Sequence, residues 1–544
     1  MKNNGKFKQI TWIYLLVSLL LASLPFLVKG MSFCMLFAFV PLLFVEDMWH
    51  NQRVKGFWHV YYLYFLVWNI ITTFWIWNAT IPGVIGAVLV NALQMSIVFY
   101  LFRIFKRKHN KGSLMFLPYL FLIITWISWE YFYFNSEISW PWLTLGNAFA
   151  NNTHAIQWYE YTGTLGGSLW IWLSNILLFF LIKRFRQIAI KQYLYLSLLT
   201  LIIIIGPIIT SLIIYYNYQE KSNPKEILVL QPNIDPYHDK FEGMTRVAQD
   251  TLLLNLAEEK ITDSTTLMVC PETFTSYINQ KYVNRFSTVI RFKKFISNHP
   301  NVNIIFGAIT TQFYPWNSYP GSFKDHKPTL TARSGQGFWY DAYNSSIILD
   351  STDRYDIYHK SKLVVLAEYV PYPKILLKFK KLSIKLGGTI SSYGTQPEVS
   401  IFTTSDSVKV GTAICYESVY GEYFSEYVKK GAQLMCVITN DGWWGNTPGL
   451  RQHLSYSKLR AIENRRCIAR SANTGISALI DQRGDMIAHT DWWEPDALIG
   501  KLNLNDELTV YTKYGDYIGR GAEFAFVLLF MYFITSLFIK KEKS

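Results

Sequence analysis

Val408-Lys409-Val410-Gly411-Thr412-Ala413-Ile414-Cys415-Tyr416-Glu417 is the stretch on which the reading of this chain turns. Val408 to Ile414 is an apolar, β-branched run that reads as a buried strand, and at Cys415 the pattern changes from strand to helix. A strand that stops on Cys-Tyr-Glu presents its thiol at the carboxyl edge of a sheet, near the amino end of the next helix. The dipole there favours the thiolate, which is the reactive form. A lone cysteine on an apolar strand is more often inert core, so the case for a nucleophile rests on its company.

Outward from Cys415, roughly Asn223 to Asp516 reads as a globular domain in which short β-branched runs alternate with helical patterns. Strands are expected at Ile227–Gln231, Thr266–Val269, Asn303–Gly307, Ser346–Asp350, Val408–Ile414, Leu434–Thr439 and Ile476–Asp481. Helices are expected at Arg246–Lys260, Ser287–Asn298, Tyr420–Lys430 and Leu450–Arg466. Such alternation argues for a layered α/β domain.

Outside that domain the chain changes character. Of its 544 residues 51% are hydrophobic and 17% aromatic, and the apolar ones concentrate in the first two-fifths and at the end. Runs of bilayer-spanning length are Ile10–Val28, Phe57–Trp77, Ile81–Phe102, Leu114–Phe132, Thr162–Ile182, Tyr193–Tyr216 and Glu523–Ile539, and Ser32–Val45 is a shorter candidate. The expected organisation is therefore a membrane domain of seven helices over 1–222, a catalytic domain over 223–516, and a final helix with its tail over 517–544. Every second connection is basic. Lys2, Lys6 and Lys8, then Arg53 and Lys55, then Arg103 to Lys111, then Lys183 to Lys191 and finally Lys540 to Lys543 lie on one side, which predicts cytoplasmic termini and an external globular domain. The net charge of +14 thus reads as a membrane signature and not as a nucleic-acid surface. The outer loop Tyr133–Tyr161, with Trp140-Pro141-Trp142-Leu143, reads either as an interfacial aromatic belt or as a surface that seats the domain or guides a lipid. Gly163, Gly166 and Gly167 open the next span and would permit close helix packing.

Five cysteines show no paired spacing, and ten histidines form no ligand cluster, so neither a disulfide framework nor a metal is expected. The chain carries no Walker A or Rossmann glycine motif, and no cofactor is expected.

Three strand ends carry the chemistry. Val269-Cys270-Pro271-Glu272 ends on a carboxylate, Tyr358-His359-Lys360-Ser361-Lys362-Leu363-Val364 places lysines before a turn that reaches Glu368, and the third is Cys415. A thiol needs a base, which a carboxylate raised by burial can supply, and attack on a carbonyl creates an oxyanion that an ammonium can stabilise. Glu272 is the expected base. Lys360 or Lys362 is the expected oxyanion stabiliser, and spacing alone does not choose between them.

Those motifs, with Glu368-Tyr369-Val370-Pro371 and Asn440-Asp441-Gly442-Trp443-Trp444-Gly445, resemble the nitrilase superfamily. With the flanking spans, the whole chain resembles the apolipoprotein N-acyltransferase family of the bacterial inner membrane. The resemblance implies an α-β-β-α sandwich mounted on eight transmembrane helices and a catalytic triad on Glu272, Lys360 and Cys415. It assigns supporting or substrate-binding parts to Glu368, Tyr416 and Glu417. It further implies an acyl chain passed from a membrane phospholipid, through a Cys415 thioester, to the α-amino group of a diacylglyceryl-cysteine on an apolipoprotein. The chain departs from the family at Val365-Leu366-Ala367, where Pro-Phe-Gly is usual, and after Gln231-Pro232-Asn233-Ile234, where Tyr237 and Phe241 are the nearest aromatics to a missing tryptophan.

Tyr372–Leu386 alternates lysines with apolar residues, which suits an anionic interface or a lid over the acyl chain, and equally a solvated helix face. His453 reads as structural, because Glu272 already fills the role of base. Cys270 and Cys436 read as core. The rival readings are a membrane-tethered nitrilase or amidase acting on small soluble amides, and a non-catalytic membrane receptor or transporter.

Overall fold

A computed structural model describes residues 2–52, 58–109, 115–236, 238, 243–315, 329, 331–335, 337–372 and 392–538. Residues 373–386 of the expected lid lie outside the described residues, as do Tyr237 and Phe241. The chain forms two compact units, one of residues 1–74, 84–217 and 514–544, the other of 75–83 and 218–513.

The first unit is built from α1 (Lys2–Leu27), α2 (Val40–Asn51), α3 (Trp58–Thr73), α4 (Ile81–His109), α5 (Leu117–Phe134), α6 (Tyr159–Arg184), α7 (Ile190–Asn217) and the C-terminal helix Tyr517–Phe538. Among the described residues, seven helical segments are long and apolar enough to cross a membrane, by length and composition. The segment not among them is α5, which carries Glu130 and three tyrosines in 18 residues. The short second candidate is broken. A 3-10 turn, Ser32–Leu36, precedes α2, and Asn175 of α6 satisfies the backbone at the break. Its Nδ2 donates to the Met35 carbonyl at 2.9 Å, and its Oδ1 accepts from the Phe39 N–H at 2.7 Å. Away from water those groups need such partners.

The aromatic outer loop turns Pro141-Trp142-Leu143 into the protein. Trp142 and Leu143 are buried, Trp140 stacks on Trp142, and Glu130 Oε1 accepts from the Leu145 N–H at 2.9 Å and the Trp126 indole at 3.1 Å. The glycines of α6 do permit close approach. A Cβ on Gly167 would fall 1.9 Å from the Tyr159 hydroxyl and 2.9 Å from Gly146 Cα. Five charged residues cluster where α2, α4 and α6 meet, with Arg103–Glu46 at 2.8 Å, Lys106–Asp47 at 3.3 Å and Lys183–Asp47 at 2.7 Å.

The second unit is two sheets with helices outside them. One sheet has the order β14-β1-β2-β4-β6-β5, with β3 beside β4 and β7 beside β6. Its strands are β1 (Pro224–Gln231), β2 (Thr265–Val269), β3 (Thr275–Asn279), β4 (Asn303–Pro315), β5 (Arg333–Ser334), β6 (Phe338–Leu349), β7 (Tyr355–His359) and β14 (Asp496–Asn503). The other runs β13-β12-β11-β10-β9-β8, from β8 (Ile401–Thr403), β9 (Lys409–Ile414), β10 (Leu434–Thr439), β11 (Ile468–Ala472), β12 (Ala478–Ile480) and β13 (Met486–His489). Helices α8 (Arg246–Glu258) and α9 (Ser287–Asn298) cover the first sheet, and α10 (Gly421–Lys429) and α11 (Pro448–Asn464) the second.

Strand alternation separates the layers. Ile227 and Val229 of β1 face the core shared with Val410, Leu434 and Ile468 of the other sheet. Leu228 and Leu230 face Leu253 of α8 and Phe292 of α9. The result is the expected α-β-β-α sandwich. Parallel pairing of β1 with β2 and of β9 with β10 sets the carboxyl ends of β2 and β9 where Glu272 and Cys415 begin.

Candidate active site

Glu272 follows β2 on a tight turn that exists because β4 carries a glycine beneath it. A Cβ on Gly307 would fall 2.5 Å from Glu272 Cα, and the Gly307 N–H instead donates to the Pro271 carbonyl at 3.1 Å. Lys360 follows β7, its N–H donating to the Asn344 carbonyl of β6 at 2.8 Å. Its side chain is 1% exposed, and its Nζ donates to Glu272 Oε1 at 3.1 Å and Glu368 Oε1 at 2.9 Å. Burial opposes the charge on this ammonium, but Glu272, Glu368 and Cys415 together hold its pKa well above the usual lysine range.

Asn344 joins the group. Its Nδ2 donates to Glu272 Oε1 at 2.7 Å and to Glu368 Oε1 at 2.9 Å. No motif marked this residue, because its part depends on β6 lying between β4 and β7. Glu368 is fixed by its own turn, where the Val364 N–H donates to Oε2 at 2.8 Å and Leu366 takes a left-handed φ of 63°. A side chain other than glycine is strained there, and Leu366 lies within Val365-Leu366-Ala367, the stretch that departs from the family pattern.

Lys362 is the lysine that does not reach the carboxylates. Its ammonium lies over the Tyr420 and Tyr423 rings, 5.2 and 5.6 Å from their centroids. Of the two lysines that spacing left open, Lys360 is the one whose ammonium meets Glu272 and Glu368.

Cys415 is 9% exposed and has φ +50°, a conformation that costs a non-glycine residue about 1–3 kcal/mol. A 3-10 turn, Cys415–Val419, follows it. The expected shift toward thiolate is not what the site imposes. Burial and the charge of Glu272 push the thiol well above its ordinary pKa, against the opposing pull of Lys360. A single 3-10 turn has little dipole to offset that, so the resting group is the thiol.

Glu417 is fully buried and acts as a clamp. Oε1 accepts from the Tyr358 hydroxyl at 2.6 Å and the Ser361 N–H at 2.7 Å, and Oε2 accepts from the Ile414 N–H at 2.8 Å. It thereby ties the residue before Cys415 to the residue after Lys360. Burial raises its carboxyl, and these hydrogen bonds oppose that. Tyr416 is also buried and meets the Tyr420 ring edge-on at 5.3 Å. Cys270 and Cys436 are core, their thiols pushed up by burial. Among the described residues no cluster of three or more His, Cys, Asp or Glu side chains is placed to hold a metal ion.

A buried carboxylate–lysine–carboxylate group beside a strained cysteine is a set suited to acyl transfer through a thiol. Comparison with known proteins agrees. Residues 18–177 match the model of the apolipoprotein N-acyltransferase N-terminal domain, and 251–509 that of the carbon-nitrogen hydrolases. The apolipoprotein N-acyltransferase of Chlorobaculum tepidum is 30% identical over 499 residues, 88% of each chain. This chain belongs to the apolipoprotein N-acyltransferase family. That of Geobacter metallireducens is 27% identical over 435 residues, 78% of this chain and 75% of the relative. Among solved structures, Nit3 of Saccharomyces cerevisiae, a nitrilase-superfamily member, aligns with a TM-score of 0.35 at 16% identity, covering 53% of this chain and 92% of its own. As a member of this family the chain is a membrane-associated acyltransferase with lipoprotein substrates.

Proposed function

We propose that Cys415 is the nucleophile, Glu272 the general base and Lys360 the oxyanion stabiliser of a two-step acyl transfer from a membrane phospholipid to the α-amino group of a diacylglyceryl-cysteine. The observation that carries this reading is the sharing of one buried ammonium by two carboxylates, Lys360 between Glu272 and Glu368.

Glu272 takes the Cys415 proton as sulfur attacks the ester carbonyl. Neutralised, Glu272 loosens its hold on Lys360, and the ammonium's attraction passes to the oxyanion. The group's net charge does not change, so no charge has to be created in a dry site. Collapse of the tetrahedral species expels the lysophospholipid alkoxide, which regains the proton from Glu272 and leaves a Cys415 thioester. The acceptor amine then attacks the thioester, Glu272 removes the amine's proton, and the departing thiolate takes it back. Glu368 keeps Lys360 charged throughout. Basic connections on alternate sides of the helices support termini in the cytoplasm and the catalytic unit on the periplasmic face of the inner membrane.

The test is mass spectrometry of detergent-purified protein incubated with phospholipid alone, wild type beside Cys415→Ala. A fatty-acyl mass on the wild type, released by hydroxylamine and absent from the variant, is expected. A folded wild type that takes no acyl group from accessible lipid would overturn the scheme.

A further inference from the structure

Asp441 and His453 lie outside the Glu272–Lys360–Glu368 group, are fully buried, and have no part in the transfer scheme. We propose that His453 is a positioning residue for acyl transfer, holding the Cys415 carbonyl oxygen by its Nε2–H and thereby the left-handed backbone that aims the thiol.

The hydrogen bonds assign the ring's orientation. Ser418 Oγ lies 2.7 Å from the Cys415 carbonyl oxygen and donates to it, which uses the hydroxyl's only proton. His453 Nε2 lies 3.1 Å from the same carbonyl oxygen and 3.0 Å from Ser418 Oγ. Both are acceptors toward the ring, so Nε2 carries a proton and donates. Nδ1 faces Asp441 Oδ1 at 2.9 Å. Asp441 is in turn held by the Thr439 hydroxyl at 2.7 Å and by Arg470. The face of the ring is closed by Trp444, edge-on at 5.4 Å. Trp444 itself meets Trp75 at 4.9 Å, and its carbonyl accepts from Asn78 Nδ2 at 2.9 Å, all within the same compact unit. The imidazole thus has one orientation, and it points at the backbone of Cys415.

Cys415 needs such a hold. Its φ of +50° is strained for a residue with a Cβ, and strained backbone persists only where its surroundings over-determine it. Ser418 and His453 supply two donors to one carbonyl. Without the second, the peptide after Cys415 can turn and carry Sγ off line, and a displacement of about 1 Å costs about 10²-fold in rate.

The inference rests on Cys415 being the nucleophile, and the experiment keeps the two apart. Full-length enzyme in detergent is mixed with phospholipid bearing a fluorescent acyl chain, and single-turnover labelling of the protein is followed. His453→Gln places an amide N–H near the ring's Nε2 position, and His453→Asn reaches only the Nδ1 position beside Asp441. His453→Asn is expected to slow labelling about 10²-fold, with the lipid concentration for half-maximal rate unchanged. His453→Gln is expected to stay within a few-fold of wild type. Equal rates for the two variants, fast or slow, at similar unfolding temperatures would overturn the proposal. Ser418→Ala, which removes the other donor, is the variant to use if His453→Asn folds poorly, and it should slow labelling several-fold. Labelling at the wild-type rate in Ser418→Ala would also overturn it. Absence of label on the wild type itself would instead remove the nucleophile reading on which the proposal stands.

Discussion

Lys106 of the membrane unit and Lys360 of the catalytic unit are both buried lysines in ionic clusters, but one is matched and the other outnumbered. Around Lys106, two carboxylates, Glu46 and Asp47, are shared among Arg103, Lys106 and Lys183. Around Lys360, one ammonium serves Glu272 and Glu368, and Asn344 supplies neutral donors to the same oxygens. A cluster with a cation for every carboxylate gives no carboxylate a reason to accept a proton. A cluster short of one cation does. Surplus negative charge, and not burial of charge as such, marks the site of chemistry.

Removing the base should show this most strongly. Glu272→Gln is expected to lower transfer by about 10²–10⁴-fold with little change in unfolding temperature, because Lys360 keeps Glu368. Lys360→Met should lower transfer by about 10²–10³-fold and also destabilise by about 3–5 kcal/mol, because two buried carboxylates then lack their cation. The matched cluster is the control. Lys106→Met leaves Asp47 paired with Lys183, and transfer should stay within a few-fold of wild type when both variants are assayed with the same lipid. Equal losses in Lys106→Met and Lys360→Met would break the comparison.

The pH dependence of stability sharpens it. Coulomb attraction to Arg470 and His453, acting against burial, holds the Asp441 carboxyl down to about 2. A depressed carboxylate stabilises above its ordinary pKa and loses that contribution as pH falls toward the folded value. About 2 kcal/mol should therefore persist from neutral pH to near 4 and disappear toward 2. For Lys360 the sign is reversed. Its pKa is raised, so its contribution is complete below the ordinary lysine range and is lost only as pH climbs through the higher folded value. Thermal unfolding of wild type against Asp441→Asn should give a constant gap above pH 4 that narrows in acid. The smallest effect belongs to the half-exposed pair Lys225–Asp406, where Lys225→Ala should change stability by less than about 1 kcal/mol.

Much of the sandwich was legible along the chain. Leu434–Thr439 and Ser287–Asn298 form their strand and helix with the expected bounds, because a β-branched run and an amphipathic repeat are local properties. β3, β5, β7, β8, β11, β13 and β14 lie outside the expected strands; Tyr355–His359 and Asp496–Asn503, for example, become strands by pairing with β6 and β1 and not through apolar runs of their own. Ser32–Val45 looked like one short span, and the break within it is stabilised by Asn175, far along the chain. Trp142 reads either as part of an interfacial belt or as part of a seating surface, because aromatic composition suits both, yet it is fully buried and stacked on Trp140.

The site divides in the same way. Glu272, Glu368 and Cys415 announce themselves as polar residues that end apolar runs, and their motif order identifies the family. Hydrophobic periodicity and the spacing of basic loops likewise need only the chain, because each depends on near neighbours. The seating of Lys362 over tyrosine rings and away from the carboxylates, the bridging by Asn344, the clamp of Glu417 and the hold of His453 on Cys415 belong to the tertiary structure alone. Each depends on which side of a strand end a side chain emerges from and on which distant element meets it there. The protonation of the Cys415 thiol is also decided in three dimensions. It follows from burial and from the charge of Glu272, 143 residues earlier in the chain.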